Sequence, residues 1–351
     1  MINNNQSKRI LFLDYMRVLA FSLVILGHKF SKDLLALSQD HNIHVTSRLI
    51  YEFLFSISYG GAMGVVVFFL VSGYIITHVL QTENTMEFYI KRIFRIYPLY
   101  IVAVILEIAV RYAHGSNIPP LEVIIPRLLL LGDFFGTPLA LAGVEWTLRI
   151  EVMFYLFMGC VRKCGILPHG NLLSMLLLLL TYALMSLPPF PASQDFHNAY
   201  FSTYTPFLFM GVIVYLLEKR IVNSSLAIIC LLAMFFMHIH LIELYNKGWG
   251  RFNYAAIGTI IFIASWRLRE YMKPKYVFLL LSELTYAIYL FHNWMWEYIH
   301  VLVRYIGISL IPDSLQILIL LMIFCYVANK IIERKVVFLG KFVSARILTA
   351  K

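Results

Sequence analysis

Long apolar runs recur along the chain, separated by short polar or basic stretches. The run LLSMLLLLLTYALMSL at 172–187, for example, contains no charged residue and has no polar helical face. A helix needs about 20 predominantly apolar residues to cross the hydrocarbon core of a bilayer. The pattern predicts ten membrane-spanning helices, at 10–30, 58–80, 96–113, 143–162, 171–187, 200–217, 221–240, 253–271, 276–302 and 314–335.

One further apolar stretch, LEVIIPRLLLLGDFFG at 121–136, is short and contains a proline and an arginine. We expect it to form a re-entrant or interfacial segment rather than a full span. No soluble linker, low-complexity tract or internal repeat separates the spans. The sequence therefore predicts one all-α polytopic membrane domain over 1–351, a single helical bundle with a polar cavity and short cytoplasmic tails at 1–9 and 336–351.

Composition and charge agree with this class of protein. Hydrophobic residues make up 60% of the chain, charged residues 14%, and the mean hydropathy is +0.77, which excludes an ordinary soluble globular protein. Most of the 29 Lys and Arg residues fall on one side of the predicted membrane if the N-terminus is cytoplasmic. By the positive-inside rule both termini are then cytoplasmic, and the net charge of +10 reflects topology rather than nucleic-acid binding.

The first predicted span carries the ionisable residues Asp14, Arg17 and His28 within LDYMRVLAFSLVILGHKF, with Lys29 next to its outer end. Eleven residues separate Arg17 from His28, so on a helix both point within about 20° of one direction, roughly 16 Å apart along the axis. Ionisable groups in a bilayer are costly and usually face the bundle interior or a watery cavity. The alternative is an Asp14–Arg17 pair that only fixes packing, with His28 at the interface.

Three other apolar segments also contain polar groups. GAMGVVVFFLVSGYIIT at 61–77 places Ser72 and Gly73 deep in a span, and EWTLRIEVMFYLF at 145–157, which begins with Glu145 and Trp146, embeds Arg149 and Glu151. SELTYAIYLFHNWM at 282–295 embeds His292. Each group alone is compatible with a satisfied core residue, but their recurrence favours a shared polar cavity.

Two arginines, Arg92 and Arg95, lie one helical turn apart in FYIKRIFRIYPLY at the predicted cytoplasmic end of a span. Paired guanidinium groups suit a phosphate-bearing ligand, because each donates two parallel hydrogen bonds. The alternative is a topogenic pair that contacts lipid headgroups.

Other kinds of site have little support. The four cysteines and the pairs His238/His240 and His41/His44 lack a convincing set of acidic partners, so we expect no metal site. Neither a Walker A loop nor a G-x-S-x-G motif is present.

The motifs LDYMRVLAFSLVILGH, GVVVFFLVSGYIIT, RIFRIYP, WTLRIEVMFYL and SELTYAIYLFH occur in this order across 13–292. Together they resemble the acyltransferase-3 family, membrane proteins that acylate bacterial surface glycans and related acceptors. The resemblance implies a multi-pass protein of the cell inner (cytoplasmic) membrane, with His28 essential to transfer and Arg92 and Arg95 handling acyl-CoA. The chain is too short for the fused periplasmic esterase-like domain of some relatives, so it resembles the single-domain members.

The chemistry of such a transfer assigns expected roles. Histidine suits removal of a proton from an acceptor hydroxyl near neutral pH, so His28 is expected to act as general base, or alternatively as a transient acyl carrier. Arg17 would orient substrate or steady the site, and Glu151 would orient an imidazole or contact the acceptor. Further candidates for substrate contact or structural support are Asp14, Ser72, Gly73, Trp146 and His292.

The expected activity is the transfer of an acyl group from acyl-CoA to a hydroxyl of a cell-surface or exported polysaccharide. Acetyl is the acyl group expected. Acyl-CoA is a co-substrate, and no permanently bound cofactor is expected. Expected partners are a glycan or lipid-linked glycan acceptor, the lipid bilayer, and proteins of polysaccharide synthesis or export; nucleic acid is not expected. The alternatives are a small-metabolite or lipid acceptor, and a transporter or flippase of lipid-linked sugar.

Overall fold

Helices form every regular element that the computed structural model describes, over residues 9–192, 198–249 and 253–349. The all-α prediction is confirmed for these residues. The α-helices are α1 Leu11–Lys29, α2 Ser31–Gln39, α3 Val45–Ser58, α4 Ala62–Val79, α5 Thr85–Ala113, α6 Leu121–Leu128, α7 Gly132–Phe135, α8 Trp146–Lys163, α9 Gly170–Ser186, α10 Tyr200–Glu218, α11 Ser224–Tyr245, α12 Tyr254–Arg267, α13 Tyr276–Phe291, α14 Trp294–Ile306, α15 Asp313–Ala328 and α16 Arg334–Thr349.

Shorter helical pieces connect some of these elements. A π-helical turn at Asn329–Glu333 joins α15 directly to α16, and a 3-10 turn at Tyr59–Gly61 joins α3 to α4. Further 3-10 turns lie at Leu141–Gly143, Lys247–Trp249 and Arg269–Tyr271.

Six helical stretches in the described chain are long and apolar enough to cross a membrane: Leu11–Lys29, Val45–Val79, Thr85–Ala113, Tyr200–Glu218, Ser224–Tyr245 and Asp313–Ile347. Each of them overlaps one of the ten predicted spans, although several begin or end at other residues. Helices α9, α12 and α13 are apolar but have only 17, 14 and 16 residues. The protein is a membrane protein, and the total of ten spans stays a prediction.

The apolar surface supports this conclusion. On α11, Ile229 and Phe236 are 59% and 65% exposed, whereas Cys230 and Met234 are fully buried. A continuous apolar helix face of this kind is unfavourable in water and is well accommodated by lipid.

Several predicted boundaries were wrong. The predicted span 276–302 is two helices, α13 and α14, separated at His292 and Asn293. Residues 31–57, where no span was predicted, form most of α2 and α3, and α5 begins eleven residues before the predicted start at 96. The predicted cytoplasmic tail at 336–351 is helical as far as Thr349, and its place outside the membrane stays a prediction. Residues 1–8 of the other predicted tail, and residues 350 and 351, lie outside the described chain.

The chain divides into two compact units. The first contains the chain up to Val71 together with the segment from α12 to Thr285. Glycines bring its helices close: a methyl group at Gly27 would overlap the Ser58 carbonyl, and one at Gly64 would overlap the Ala20 carbonyl. Small residues at such positions let helix backbones approach each other in membranes.

The second unit contains the chain from Ser72 through α11 and from Tyr286 onward. Of the six long apolar stretches, α10 is the most buried: 89% of its most apolar part lies inside the protein. Helices α9 and α11 pack on α10, while α8 and α16 pack on α5. The side chain of Phe94 on α5 sits against Gly340 of α16, where a methyl group would overlap it.

Candidate functional site

Asp14 is the best-paired ionisable residue of the first unit and is only 3% exposed. Its carboxylate accepts hydrogen bonds from Arg9 Nε at 2.7 Å, Arg9 Nη2 at 3.2 Å and Ser282 Oγ at 2.6 Å. Arg17 Nη1 is more distant, at 3.7 Å. The predicted Asp14–Arg17 contact therefore exists, but Arg9 is the main partner, and the bond to Asp14 raises the pKa of the Arg9 guanidinium above its ordinary value.

Arg17 and His28 lie on one continuous helix, α1, as the sequence predicted. The Arg17 side chain is 25% exposed, and His28 is exposed in the described chain. The His28 imidazole is hydrogen-bonded to the backbone of Gly60. Gly60 and Gly61 have φ of 55° and 73°, a left-handed conformation that favours glycine. A side chain at Gly61 would come within 3.4 Å of His28 Nε2, so this turn keeps space beside the imidazole.

Glu151 and Ser72 meet in the second unit. Ser72 Oγ and Tyr155 Oη both donate to Glu151 Oε1, each at 2.7 Å. Glu151 and Ser72 are each 5% exposed, and Tyr155 is 7% exposed. Two hydrogen bonds to one oxygen fix the orientation of this buried carboxylate.

Arg92 and Arg95 share a face of α5. The helix begins after Asn84, whose side chain accepts from Glu87 N at 2.9 Å, and this N-cap sets the register that carries both arginines. The Arg92 guanidinium stacks over Phe88, 5.5 Å from the ring centre. Within the described chain, Arg92 Nε is buried and has no hydrogen-bond partner.

The charges around Arg92 come from several helices. Glu83 and Glu151 attract its guanidinium, and Arg95 repels it. The Tyr286 hydroxyl donates to the carbonyl of Ile96, the residue after Arg95 on α5, at 2.7 Å. The second unit thus brings together four predicted site residues: Ser72, Arg92, Arg95 and Glu151.

The three remaining candidate residues pack closely against other helices or contact backbone carbonyls. Gly73 is the point of closest approach of α4 to α10, where a methyl group would overlap the Leu208 carbonyl. Trp146 is 7% exposed and packs against Tyr200, with ring centres 5.3 Å apart. His292 is 1% exposed, and its Nδ1 contacts the Tyr289 carbonyl at 2.8 Å.

The sequence predicted that Arg149 is buried, and it is only 2% exposed, but the ionic cluster around it was missed. Arg149 Nη1 contacts Asp133 Oδ1, which also accepts from the Tyr200 hydroxyl. Arg149 Nε donates to Glu145 Oε1 at 2.7 Å. Gly132 leaves the space this cluster needs, because a methyl group there would overlap the Arg149 guanidinium. The spacing of Glu145 and Arg149, four residues apart, was a visible signal; the contacts to Asp133 and Tyr200 required the fold.

The irregular segment before α8 is held by three side chains: Glu107 of α5, Glu145 at the start of α8, and Asn293 between α13 and α14. Leu141 N donates to Glu107 Oε2 at 2.8 Å, Ala140 N donates to Glu145 Oε2 at 2.9 Å, and Asn293 Nδ2 donates to the Ala142 carbonyl at 2.8 Å. These bonds satisfy backbone groups that no helix satisfies. The predicted re-entrant or interfacial stretch 121–136 forms the short helices α6 and α7, and its depth in a membrane stays a prediction.

In the described residues, no group of three or more His, Cys, Asp or Glu side chains is placed to hold a metal ion. The carboxylates assembled in the two units are instead bound by arginines and hydroxyl groups.

Among the known proteins that this chain resembles are some named as O-acetyltransferases and one named as a nodulation protein. A Staphylococcus aureus protein (strain COL), provisionally named as an O-acetyltransferase, is 25% identical over 296 residues, 69% of this chain and 47% of that protein. The peptidoglycan O-acetyltransferase OatA of Listeria monocytogenes is 30% identical over 133 residues, 32% of this chain and 21% of its own length. Nodulation protein 10 of Rhizobium leguminosarum is 27% identical over 127 residues, 30% of this chain and 33% of its own length.

This chain therefore spans half or less of the length of each of these three relatives. No solved structure matches it. The family described as "Acyltransferase domain", acyltransferase-3, matches residues 10–330, a range that contains every candidate site residue named above. This chain belongs to the acyltransferase-3 family.

Proposed function

We propose that this protein is a membrane-bound O-acyltransferase that moves an acyl group, acetyl in the first instance, from acyl-CoA to a hydroxyl of a cell-surface or exported polysaccharide. Membership of the acyltransferase-3 family supports acyl transfer, and the names of two relatives support acetyl as the group and oxygen as its destination. The peptidoglycan named for one relative supports a glycan as the acceptor class.

The main support for acyl-CoA as the donor comes from the surroundings of the Arg92 guanidinium. Its Nε is buried and has no hydrogen-bond partner in the described chain, and a second guanidinium, that of Arg95, lies on the same helix face. Leaving a buried charged donor unsatisfied is costly, so an anionic ligand that fills this place gains affinity. The phosphates of acyl-CoA are such a ligand, and Arg92 and Arg95 hold them at the cytoplasmic side.

His28 performs the proton or acyl chemistry. In one route its imidazole takes the proton of the acceptor hydroxyl while that oxygen attacks the thioester carbonyl and coenzyme A leaves as the thiolate. In the other route the imidazole nitrogen attacks the thioester carbonyl and coenzyme A leaves as the thiolate; the acyl-imidazolium then gives its acyl group to the acceptor oxygen, the acyl–nitrogen bond breaks, and the hydroxyl proton neutralises the thiolate. Retention of label on the protein when acceptor is absent distinguishes the second route from the first.

Two further residues support the reaction. Arg17 lies on α1 with His28 and orients substrate or steadies the site. Glu151, held by Ser72 and Tyr155, orients an imidazole or contacts the acceptor. The protein works in the cell inner membrane with both termini cytoplasmic, and its acyl group goes to an acceptor supplied by polysaccharide synthesis or export.

The experiment that tests the proposal follows labelled acetyl from acetyl-CoA into cell-envelope polysaccharide. Membranes containing the wild-type chain are compared with membranes containing His28→Ala and with membranes lacking the protein. Label in polysaccharide only with the wild type supports the proposal. Label in a lipid or a small metabolite instead would overturn the acceptor class. Unchanged acetyl-CoA with folded protein and added polysaccharide would overturn acetyl transfer and favour transport of a lipid-linked sugar.

A further inference from the structure

The turn between α4 and α5 carries an acidic residue that the proposed function does not use. Glu83 lies in this turn, and its backbone N–H donates to the carbonyl of Val79, the last residue of α4, at 3.0 Å. Only 14% of its side chain is exposed. The next residue, Asn84, is the N-cap of α5, so Glu83 directly precedes the helix that carries Arg92 and Arg95.

One carboxylate oxygen of Glu83 is bonded and the other is not. Its Oε1 accepts from Lys91 Nζ at 2.7 Å. Its Oε2 is buried, and no residue of the described chain donates a hydrogen bond to it. A buried carboxylate oxygen is costly when no donor reaches it, so a ligand that brings an N–H or O–H group to this oxygen gains affinity.

Lys91 fixes the position of the Glu83 carboxylate. Its Nζ also donates to Glu87 Oε1 at 2.6 Å, so one ammonium group joins two carboxylates. Glu87 and Lys91 lie one turn apart on α5, and the Glu87 side chain is 21% exposed. Of the two carboxylates, only that of Glu83 has an oxygen among the buried, unpartnered atoms of the described chain.

The charge of Glu83 acts on the arginine proposed to hold phosphate. Arg92 follows Lys91 on α5, and the Glu83 carboxylate attracts its guanidinium. The two groups are not hydrogen-bonded through Arg92 Nε and Glu83 Oε2, because each of these atoms is buried without a partner in the described chain. Phe88 lies under the guanidinium, 5.5 Å from its ring centre. A donor and an acceptor are thus both open to a ligand in this region.

Coenzyme A carries a matching pair of groups. Its 3′-phosphate and its 2′-hydroxyl sit on neighbouring carbons of the ribose, so a phosphate and an O–H donor are adjacent. A carboxylate near a phosphate repels it, and this cost is offset when the carboxylate accepts a hydrogen bond from the same ligand. Acidic side chains that accept from a ribose 2′-hydroxyl recur in nucleotide-binding proteins.

We propose that Glu83 accepts a hydrogen bond from the ribose 2′-hydroxyl of acyl-CoA, next to the 3′-phosphate that Arg92 and Arg95 hold. Lys91 and Glu87 position the carboxylate for this contact. The donor site then selects a ribonucleotide and fixes the orientation of its sugar. This inference rests on the donor assignment of the proposed function.

The test compares adenosine 3′,5′-bisphosphate with 2′-deoxyadenosine 3′,5′-bisphosphate, which differ only in the 2′-hydroxyl. Each displaces labelled coenzyme A from the purified full chain in lipid nanodiscs. The wild type should bind the ribonucleotide about tenfold more tightly, the effect expected for one hydrogen bond to a charged group. Glu83→Ala should bind both nucleotides equally. The ratio isolates the hydroxyl, because removing the carboxylate also removes its repulsion of the phosphates and shifts both affinities together.

Glu87→Ala is the matched control, since it too takes one carboxylate from Lys91 but leaves Glu83 in place. It should keep the wild-type preference for the ribonucleotide. Glu83→Gln keeps an acceptor oxygen without the charge and should show a smaller preference than the wild type. Melting in nanodiscs identifies any variant that has lost its fold, and the wild-type comparison alone keeps the test valid if Glu83→Ala does not fold.

Several results would overturn the inference while leaving the proposed function intact. They are equal binding of the two nucleotides by the wild type, a preference that survives in Glu83→Ala, an equal loss of preference in Glu87→Ala, and failure of adenosine 3′,5′-bisphosphate to displace bound coenzyme A. Inosine 3′,5′-bisphosphate tests the base: if Glu83→Ala removes a preference for adenosine over inosine instead, the adenine amino group is the partner and the inference is wrong. Failure of the wild-type chain to bind coenzyme A would overturn the donor assignment of the proposed function and this inference with it.

Discussion

Ser72 donates its hydroxyl proton to Glu151 Oε1 at 2.7 Å, joining two buried side chains that are 79 residues apart in the chain. Tyr155, one turn after Glu151 on α8, donates to the same oxygen. A buried carboxylate is costly unless it is hydrogen-bonded, so these donors keep it in place. The serine of the SGY segment therefore holds the carboxylate of the WTLRIE segment in place.

Replacing Ser72 by Ala should lower the rate of acetyl transfer about tenfold without unfolding the protein, because Glu151 loses one of two donors and gains freedom to turn. The initial rate of label transfer in membranes with matched protein levels measures this. Ser344→Ala is the control: Ser344 is also buried but donates to the Lys341 carbonyl of its own helix. Equal rates in Ser72→Ala and the wild type would show that the bond has no role in transfer.

Removing either arginine of the α5 pair should weaken binding of acetyl-CoA. We expect Arg92→Ala and Arg95→Ala each to raise the Kd about tenfold, and Arg92→Lys to recover only part, since a single ammonium lacks the guanidinium's paired donors. Equilibrium binding to the purified chain measures the effect. Lys163→Gln removes an exposed cation at the end of α8 and should leave the Kd unchanged. Normal binding by the double alanine variant would remove the phosphate assignment.

Local features of the site followed from the sequence, and long-range ones did not. The register of Arg17 with His28, and of Arg92 with Arg95, depends only on helical periodicity, which a continuous apolar run predicts. The contact of Ser72 with Glu151 depends on how α4 packs against α8, for which a single sequence contains no signal. Asp133 lies in the stretch predicted as re-entrant or interfacial. Its contact with Arg149, 16 residues further along the chain, could not be predicted from the sequence either.

The break in the predicted span 276–302 has a physical explanation that hydropathy does not contain. His292 Nδ1 contacts the carbonyls of Ile288 and Tyr289, and Trp294 Nε1 donates to the Leu290 carbonyl at 3.0 Å. These polar ring atoms occupy the carbonyls at the end of α13, so the helix can stop there without leaving them unsatisfied. Hydropathy counts histidine and tryptophan only by polarity and therefore predicted one continuous helix.

The Arg149 cluster should be the most sensitive point of the fold. Arg149→Met leaves Asp133 and Glu145 as buried carboxylates without their cation, at a cost of about 3–5 kcal/mol. Thermal melting of the purified chain should show a marked fall in Tm. The triple variant Arg149→Met/Asp133→Asn/Glu145→Gln removes the unpaired charges and should recover part of the loss. A triple variant no more stable than Arg149→Met would show that packing, and not charge, accounts for the effect.

A methyl group at Gly73 should force α4 away from α10. The Cβ of Gly73→Ala would overlap the Leu208 carbonyl, which belongs to rigid helix backbone, and overpacking of this kind costs about 1–3 kcal/mol. The Tm should fall, and the transfer rate should fall with it, because Ser72 is the adjacent residue. Gly248→Ala is the control, since its Cβ would meet nothing within 4 Å. An unchanged Tm in Gly73→Ala would contradict the close approach of the two helices.

His28→Ala should abolish transfer while leaving both the Tm and the binding of acetyl-CoA unchanged. His28 lies at the end of α1 and is exposed as a residue, so removing its side chain should change the packing little, and the donor site proposed here lies on other residues. His240→Ala removes another exposed imidazole, from α11, and should transfer at the wild-type rate. If His28 carries the acyl group, wild-type protein incubated with labelled acetyl-CoA and no acceptor should retain label that His28→Ala does not. If His28 acts as base, neither protein retains label. Transfer by His28→Ala at more than about a tenth of the wild-type rate would contradict both roles, because loss of a general base alone typically costs about 100-fold or more.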